Sequence, residues 1–214
     1  GSGVNALYNV LFRLHAPTEA IAAREIAAIG IVMTVQMLMC MPVLGVAQGM
    51  QPILGFNYGA RNYGRLRQTF SLAAWVGGGY IFVCTLLVLL FRRGIFRLFC
   101  REDMAADLLA HGSAEMAIFF CGFSFVGYAI LVGQYFQSIG RGGVSLTMSL
   151  SRQCFLLVPL MLLLPRFMGP TGVWWAAPIS DVLSVAIALH FHLRERRRLA
   201  GLTAKTQVAG NAVH

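Results

Sequence analysis

Charged side chains are scarce in this sequence: Asp, Glu, Lys and Arg make up 12% of its 214 residues, about half the fraction usual in soluble proteins. Eight acidic and 17 basic residues supply too little polar surface to cover a water-soluble globule of this length. Hydrophobic residues account for 57% of the chain. The composition therefore excludes an ordinary soluble protein and predicts a polytopic membrane protein whose partner is a lipid bilayer.

The sequence also lacks the residue spacings of metal and redox sites. Its five cysteines are scattered and no two of them form a CxxC pair, so we expect neither a zinc site nor a redox pair, and no cofactor. On a soluble chain a net charge of +9 would suggest nucleic acid. Here the basic residues follow apolar runs, where they set the orientation in the bilayer. We expect no nucleic-acid partner.

Enzyme motifs are incomplete. The stretch Gly122–Phe125 (GFSF) is similar to the nucleophile elbow of a serine hydrolase, but it lacks the second glycine. His190 and His192 lie two residues apart on a predicted helix, where their side chains point about 200° apart and cannot share one metal. Glu115 is predicted to be a surface carboxylate near a helix end. We expect no enzymatic activity.

Long apolar runs predict an all-α membrane protein with a six-helix transmembrane bundle, since a spanning helix needs about 20 apolar residues. Thr18 and Asp103 are candidate helix caps, and Pro42 predicts a kink. The Gly- and Asn-rich stretch 55–64 predicts a turn. The helices are expected at about 4–14, 18–54, 65–91, 104–139, 143–165 and 172–193.

The first and last segments differ from the rest. The run 4–14 is too short to span a bilayer, so we expect the upstream part of the first helix to be missing. The basic tail 194–214 is predicted to be disordered and cytoplasmic. The orientation follows from an excess of basic residues on one side of the predicted membrane. That side holds Arg61, Arg65, Arg67, Arg141, Arg194, Arg196, Arg197, Arg198 and Lys205, and the other holds Arg92, Arg93, Arg97, Arg101 and Arg166.

Two charged residues fall at membrane depth. Arg152 lies roughly 16 Å into the fifth helix and Asp181 roughly 20 Å into the sixth, at 1.5 Å per residue. An unpaired charge at that depth costs several kcal/mol, so we expect the two side chains to pair. Two roles remain open for such a pair: a structural clamp inside the bundle, which we favour, or proton coupling and gating.

Neutral polar residues and methionines also lie within the apolar runs. A cavity lined by methionine, aromatic rings and amides suits hydrophobic or cationic ligands, and packing between helices with amide hydrogen bonds is the alternative. The candidate substrate-binding residues are Asn5, Asn9, Met33, Gln36, Met37, Gln134 and Gln137.

Three ordered motifs resemble multidrug and toxin extrusion (MATE) transporters. The first is GVAQGMQPILGFNYGAR at Gly45–Arg61. The second combines QSIGRGG at Gln137–Gly143 with SLSRQ at Ser149–Gln153, and the third is GVWWAAPISD at Gly172–Asp181. The motifs extend over most of the chain, in the order that the C-terminal half of such a transporter has.

The resemblance implies one lobe of a twelve-helix exporter that exchanges drugs for H⁺ or Na⁺ across the inner (plasma) membrane. This chain would be the second lobe and inactive alone, and its partner would be the missing N-terminal lobe or a second copy. In the Na⁺-coupled branch acids on the first and fourth helices of this lobe help bind the cation. Here Asn5, Asn9, Gln134 and Gln137 stand at depth on those helices, which favours H⁺ weakly.

A lipid-linked oligosaccharide flippase half, from the same wider superfamily, is the alternative function. Such a flippase would need a strongly cationic central cavity to hold pyrophosphate. Arg152 alone has the required depth, and its expected partner Asp181 neutralises it.

Overall fold

The computed structural model describes residues 2–99 and 105–211, which form helices joined by short turns, with no strand in these two ranges. A 3₁₀ turn (Phe123–Phe125) and a π-helical segment (Ser151–Leu157) interrupt the α-helices. The all-α fold predicted from the sequence is confirmed. The helices are α1 (Ser2–His15), α2 (Glu19–Gly59), α3 (Tyr63–Phe99), α4 (Ala105–Cys121), α5 (Val126–Ser138), α6 (Gly142–Leu150), α7 (Val158–Leu163), α8 (Pro165–Met168) and α9 (Pro170–Asn211).

Four described stretches are long and apolar enough to cross a membrane: α2, α3, the run Gly142–Met168, and α9 as far as Gly201. The bent pair α4–α5 makes a fifth if it is counted as one span. By length and composition, four of the five full spans expected from the sequence are present, and the bent pair corresponds to the fifth. Helix α1 has 14 residues and is too short to span, as predicted.

Helix α2 packs against α1, α3, α4 and α5. Thr18 caps it, as predicted, because its Oγ1 accepts a hydrogen bond from the Ile21 N–H at 3.4 Å. Buried residues recur every three or four positions along its length, from Ala22 to Asn57, so one face of the helix packs on the bundle. The helix continues across Pro42 without a break.

The turn expected at 55–64 is shorter than predicted. Helix α2 continues to Gly59, and Arg61 carries the left-handed backbone of the turn, with φ of 56°. Gly55 remains helical because it packs on α5: a Cβ there would lie 3.3 Å from the Ser138 carbonyl oxygen. Gly55 therefore serves close helix packing, which composition alone does not distinguish from a turn.

The single helix expected at 104–139 is wrong, because the chain bends by 41° at Gly122. A Cβ at Gly122 would lie 2.9 Å from backbone and side-chain atoms of Pro178 on α9. The glycine therefore allows the elbow between α4 and α5 to pack directly on α9. The cap predicted at Asp103 lies outside the described residues.

Two further boundaries differ from the prediction. Helix α3 continues past residue 91 to Phe99, and α9 continues to Asn211 where a disordered tail was expected from residue 194. Packing explains the second difference: Glu195 and Leu199 are 3% and 1% exposed. The packed helix differs from the disorder predicted for this segment, and residues 212–214 lie outside the described part.

Candidate functional site

The candidate site is centred on an ion pair between the π-helical segment and α9. The Arg152 guanidinium donates two hydrogen bonds to the same oxygen, Oδ1 of Asp181, from Nε at 3.0 Å and from Nη2 at 2.6 Å. A π-helical turn is rare and marks functional positions in many proteins. The pairing predicted from the depth of the two residues is confirmed, and its role stays a prediction.

The two partners of this pair differ in burial. Asp181 is 2% exposed, whereas the Arg152 side chain is 36% exposed. Both hydrogen bonds go to Oδ1, so the buried Oδ2 has no hydrogen-bond partner among the described residues. A buried acceptor without a donor is costly, and such groups mark places where water or a ligand enters. The carboxylate therefore retains free acceptor capacity within the bundle.

A first cavity of about 240 Å³ adjoins the ion pair. Helices α1, α2, α4 and α9 and the π-helical segment all contribute to its wall. Three of the predicted residues line it together with Arg152 and Asp181: Asn5, Met33 and Gln36. Tyr8, Phe119 and Ser180 also line it, and no sequence pattern singled out these three. The cavity thus combines amide, thioether, aromatic and charged groups.

A second cavity of about 270 Å³ lies between α5, α6 and α9. Gln134 and Gln137 line it, as one face of the predicted fourth helix suggested. Gln137 Nε2 donates to Ser145 Oγ at 2.9 Å, which agrees with the packing alternative for this residue. Arg152 and Gln153 line both cavities, so the ion pair stands at the boundary between them.

Two predicted residues, Asn9 and Met37, line neither of these cavities. Met37 is 60% exposed because it follows Gln36 directly and points about 100° away from it around α2. Asn9 is exposed and does not line the first cavity, although its neighbour Tyr8 does. Position within an apolar run therefore predicted the depth of these residues in the membrane, but not which side of the helix their side chains occupy.

Glu115 is not the isolated surface carboxylate predicted, because its side chain lies against Glu25 of α2. Glu25 is 2% exposed and accepts hydrogen bonds from Arg24 Nη2 at 2.9 Å and from Trp174 Nε1 at 2.9 Å. No motif in the sequence predicts this cluster. A signal was present in Glu25 itself, an acid inside the apolar run of α2.

The two histidines considered for a metal site lie in different surroundings. His190 is exposed and His192 is buried, so the two rings face different surroundings. Within residues 2–99 and 105–211, no three His, Cys, Asp or Glu side chains lie close enough to hold a metal ion.

Comparison with protein families gives one match, to the MatE family model, over residues 18–163. The chain is similar to the multidrug export protein MepA of Staphylococcus aureus (strain N315), with 26% identity over 72% of this chain and 34% of that relative. MepA of Staphylococcus haemolyticus is 25% identical over 73% of this chain and 34% of its own length. The chain thus spans about a third of the length of these curated relatives.

Solved structures that are similar to this chain include MATE transporters. The MATE multidrug transporter DinF-BH superimposes with a TM-score of 0.73 and 35% identity, over 89% of this chain and 41% of that one. A MATE structure in complex with MaL6 has a TM-score of 0.82 and 19% identity, and the match covers 95% of this chain and 44% of that one. This second likeness concerns the fold alone.

Proposed function

Because this chain belongs to the MatE family, we propose that it is the C-terminal lobe of a twelve-helix secondary transporter that exports hydrophobic or cationic drugs. The chain is a multi-pass membrane protein, and multidrug export is the activity printed in the names of its MepA relatives. The observation that carries the proposal is the pair of cavities that meet at Arg152 and Gln153. Under this proposal the protein is a transporter and not an enzyme.

The drug contacts are assigned to the residues that line the two cavities. Asn5, Met33 and Gln36 serve the first cavity, and Gln134 and Gln137 serve the second. Thioether and amide groups adapt to ligands of different shape, and they carry no formal charge that would exclude a cation. Asn9 and Met37 do not line these cavities and take no part in this assignment.

The lobe does not transport alone under this proposal. Its two cavities measure about 240 and 270 Å³, and pockets that hold drug-sized ligands measure about 300–1,000 Å³. A second lobe must therefore enlarge and close the binding space. The partner is an N-terminal lobe or a second copy of this chain, and the coupling ion is H⁺ or Na⁺.

The orientation proposed for the lobe places α9 with its C-terminal end in the cytoplasm, in the inner (plasma) membrane. Arg61, Arg65, Arg67 and Arg141 lie in or near the turns at the same end of the bundle as Arg196, since Arg67 Nη2 donates to the Arg196 carbonyl oxygen. Basic residues concentrate on the cytoplasmic side of membrane proteins, which supports this orientation.

Ethidium accumulation tests the proposal in cells that lack their own exporters. Expression of the intact protein should lower the accumulation, and this chain alone should not. Gln36→Leu should weaken the export because Gln36 lines the first cavity, whereas the matched Gln48→Leu on α2 should not, since Gln48 is exposed and lines neither cavity.

Collapse of the export by a proton ionophore would assign H⁺ as the coupling ion, and collapse on removal of sodium would assign Na⁺.

Unchanged accumulation when the intact protein is present in the membrane would overturn the exporter proposal. Equal damage by Gln36→Leu and Gln48→Leu would leave export in place but remove the first cavity from the drug path.

A further inference from the structure

A third and larger opening, which we call the aromatic groove, lies between α3, α5 and α9. It measures about 500 Å³, and its wall includes Phe70, Tyr128, Tyr135 and His192. Among the described residues, those that line the aromatic groove line neither of the two cavities at the Arg152–Asp181 pair. The groove is therefore a separate feature, which the proposed drug path does not use.

The floor of the aromatic groove is apolar and closely packed. The Phe70 ring stacks on His192 with 4.5 Å between the ring centroids, and Tyr135 meets Phe70 edge-on at 5.1 Å. His192 is 7% exposed, and its Nδ1 is buried without a hydrogen-bond partner among the described residues. Packed rings form a rigid wall against which an alkyl chain can lie without further ordering of the protein.

Two arginines make the rim of the aromatic groove positive. Arg67 and Arg196 both line it, and Arg67 Nη2 donates to the Arg196 carbonyl oxygen at 3.2 Å, which ties α3 to α9. No acidic side chain is present among the described residues that line the groove. The site therefore presents two cationic groups that its own lining does not neutralise, and this charge favours an anion.

The mouth of the aromatic groove opens among exposed apolar side chains. Trp75, which lines it, is 79% exposed, and Leu72 beside it on α3 is 67% exposed. Trp75 lies eight residues after Arg67 on α3, roughly 12 Å further along the helix at 1.5 Å per residue, so it reaches acyl-chain depth when Arg67 lies at the headgroup level. A ligand that reaches this mouth therefore comes from lipid, and it must carry both an apolar body and a negative group.

We propose that the aromatic groove binds one anionic phospholipid of the membrane. The phosphate lies between Arg67 and Arg196, and an acyl chain lies along Phe70 and Trp75. Basic pockets between spanning helices recognise acidic headgroups through the same combination of charge and apolar contact. The proposal requires that the chain spans a membrane, and it does not depend on drug export.

Native mass spectrometry of the intact protein with phosphatidylglycerol tests the proposal, with phosphatidylcholine as the neutral comparison. The protein should retain one phosphatidylglycerol in preference to phosphatidylcholine. Replacing both rim residues, Arg67→Gln with Arg196→Gln, should weaken this binding roughly 25-fold, at roughly fivefold for each arginine. The matched control is Arg65→Gln with Arg194→Gln, which removes the same charge from exposed positions outside the groove and should leave most of the binding.

A second variant separates the groove from general surface charge. Ala74→Phe adds bulk to the groove wall and keeps both arginines, so it should also prevent phosphatidylglycerol binding, with the elution profile of the purified protein as a check on folding. Equal losses in the rim and control variants, or unchanged binding in Ala74→Phe, would overturn the proposal. Full displacement of phosphatidylglycerol by soluble glycerol phosphate would also overturn it, because a site for free anions needs no acyl chain.

Discussion

Helix α9 carries two buried carboxylates that are held in different ways. Asp181 is 2% exposed and, among the described residues, is paired with Arg152 alone. Glu195 is 3% exposed, and it meets Arg141 at 2.5 Å and Arg198 at 3.5 Å. The first carboxylate lies at the boundary of two cavities, and the second closes the end of the bundle against the turn that precedes α6.

The difference in ion pairing indicates which of the two carboxylates can take part in transport. Glu195 is held by two cations, so the loss of one leaves the other in place. Asp181 depends on one cation. Each carboxylate keeps one buried oxygen without a hydrogen-bond partner among the described residues, Oδ2 of Asp181 and Oε1 of Glu195. Asp181 lines the first cavity, where a ligand or a proton can act on such a group, whereas Glu195 lines neither cavity. We therefore expect the Glu195 end to hold the helices together, and the Asp181 end is the candidate for transport.

The largest effect is expected from Arg152→Met. The change leaves Asp181 buried without its cation, and breaking a buried pair in this way costs about 3 kcal/mol. Thermal unfolding of the purified intact protein measures the loss. Adding Asp181→Asn to Arg152→Met should recover much of it, and Arg166→Met, at an exposed position, is the matched control. Unchanged stability of Arg152→Met would show that the Arg152–Asp181 pair does not stabilise the folded protein.

Asp181→Asn alone separates the two roles left open for the pair. Loss of expression supports the structural clamp, and normal folding with lost ethidium export supports coupling.

A smaller effect is expected from Gly122→Ala, which acts on Asp181 through the backbone of α9. The added Cβ would meet Pro178 at 2.9 Å, three residues before Asp181, and overpacking of this kind costs about 2 kcal/mol. The matched control is Gly78→Ala, because a Cβ there meets no heavy atom within 4 Å and alanine favours the helix. The control should be neutral or stabilising in thermal unfolding. If both variants behave alike, the elbow at Gly122 does not position α9.

The sequence was sufficient to predict the pairing at Asp181 but not at Glu195. Arg152 and Asp181 are charges inside apolar runs, and the fixed rise of a helix places them at matching depth. Glu195 stands among arginines in a polar segment whose composition suggested disorder, and its partner Arg141 is distant in the sequence. Composition reports the average environment of a segment, and it does not show long-range contacts such as the Glu195–Arg141 pair.

The same limit explains the other differences from the prediction. Glycine is frequent in membrane helices, so neither the elbow at Gly122 nor the continued helix at Gly55 has a local signal. Both depend on a backbone in another helix, Pro178 in the first case and Ser138 in the second. The helices and the ion pair follow from hydropathy and charge, and the bends follow from contacts that become visible once the helices are packed.

The smallest effect is expected from Arg141→Gln, which weakens the hold on Glu195 without removing it. Arg198 stays within 3.5 Å of Glu195 Oε1, and Arg141 is 35% exposed, so the loss should be about 1 kcal/mol or less. Hydrogen–deuterium exchange of residues 194–201 is the sensitive measurement, because the end of α9 would fray before the bundle unfolds. Exchange should rise modestly in Arg141→Gln and further when Arg198→Gln is added, while the peptide around Asp181 stays protected. If the double variant exchanges no faster than the unaltered protein, apolar packing at Leu199 and not ion pairing holds the end of α9. The number of cations around each carboxylate would then not explain the difference between Asp181 and Glu195.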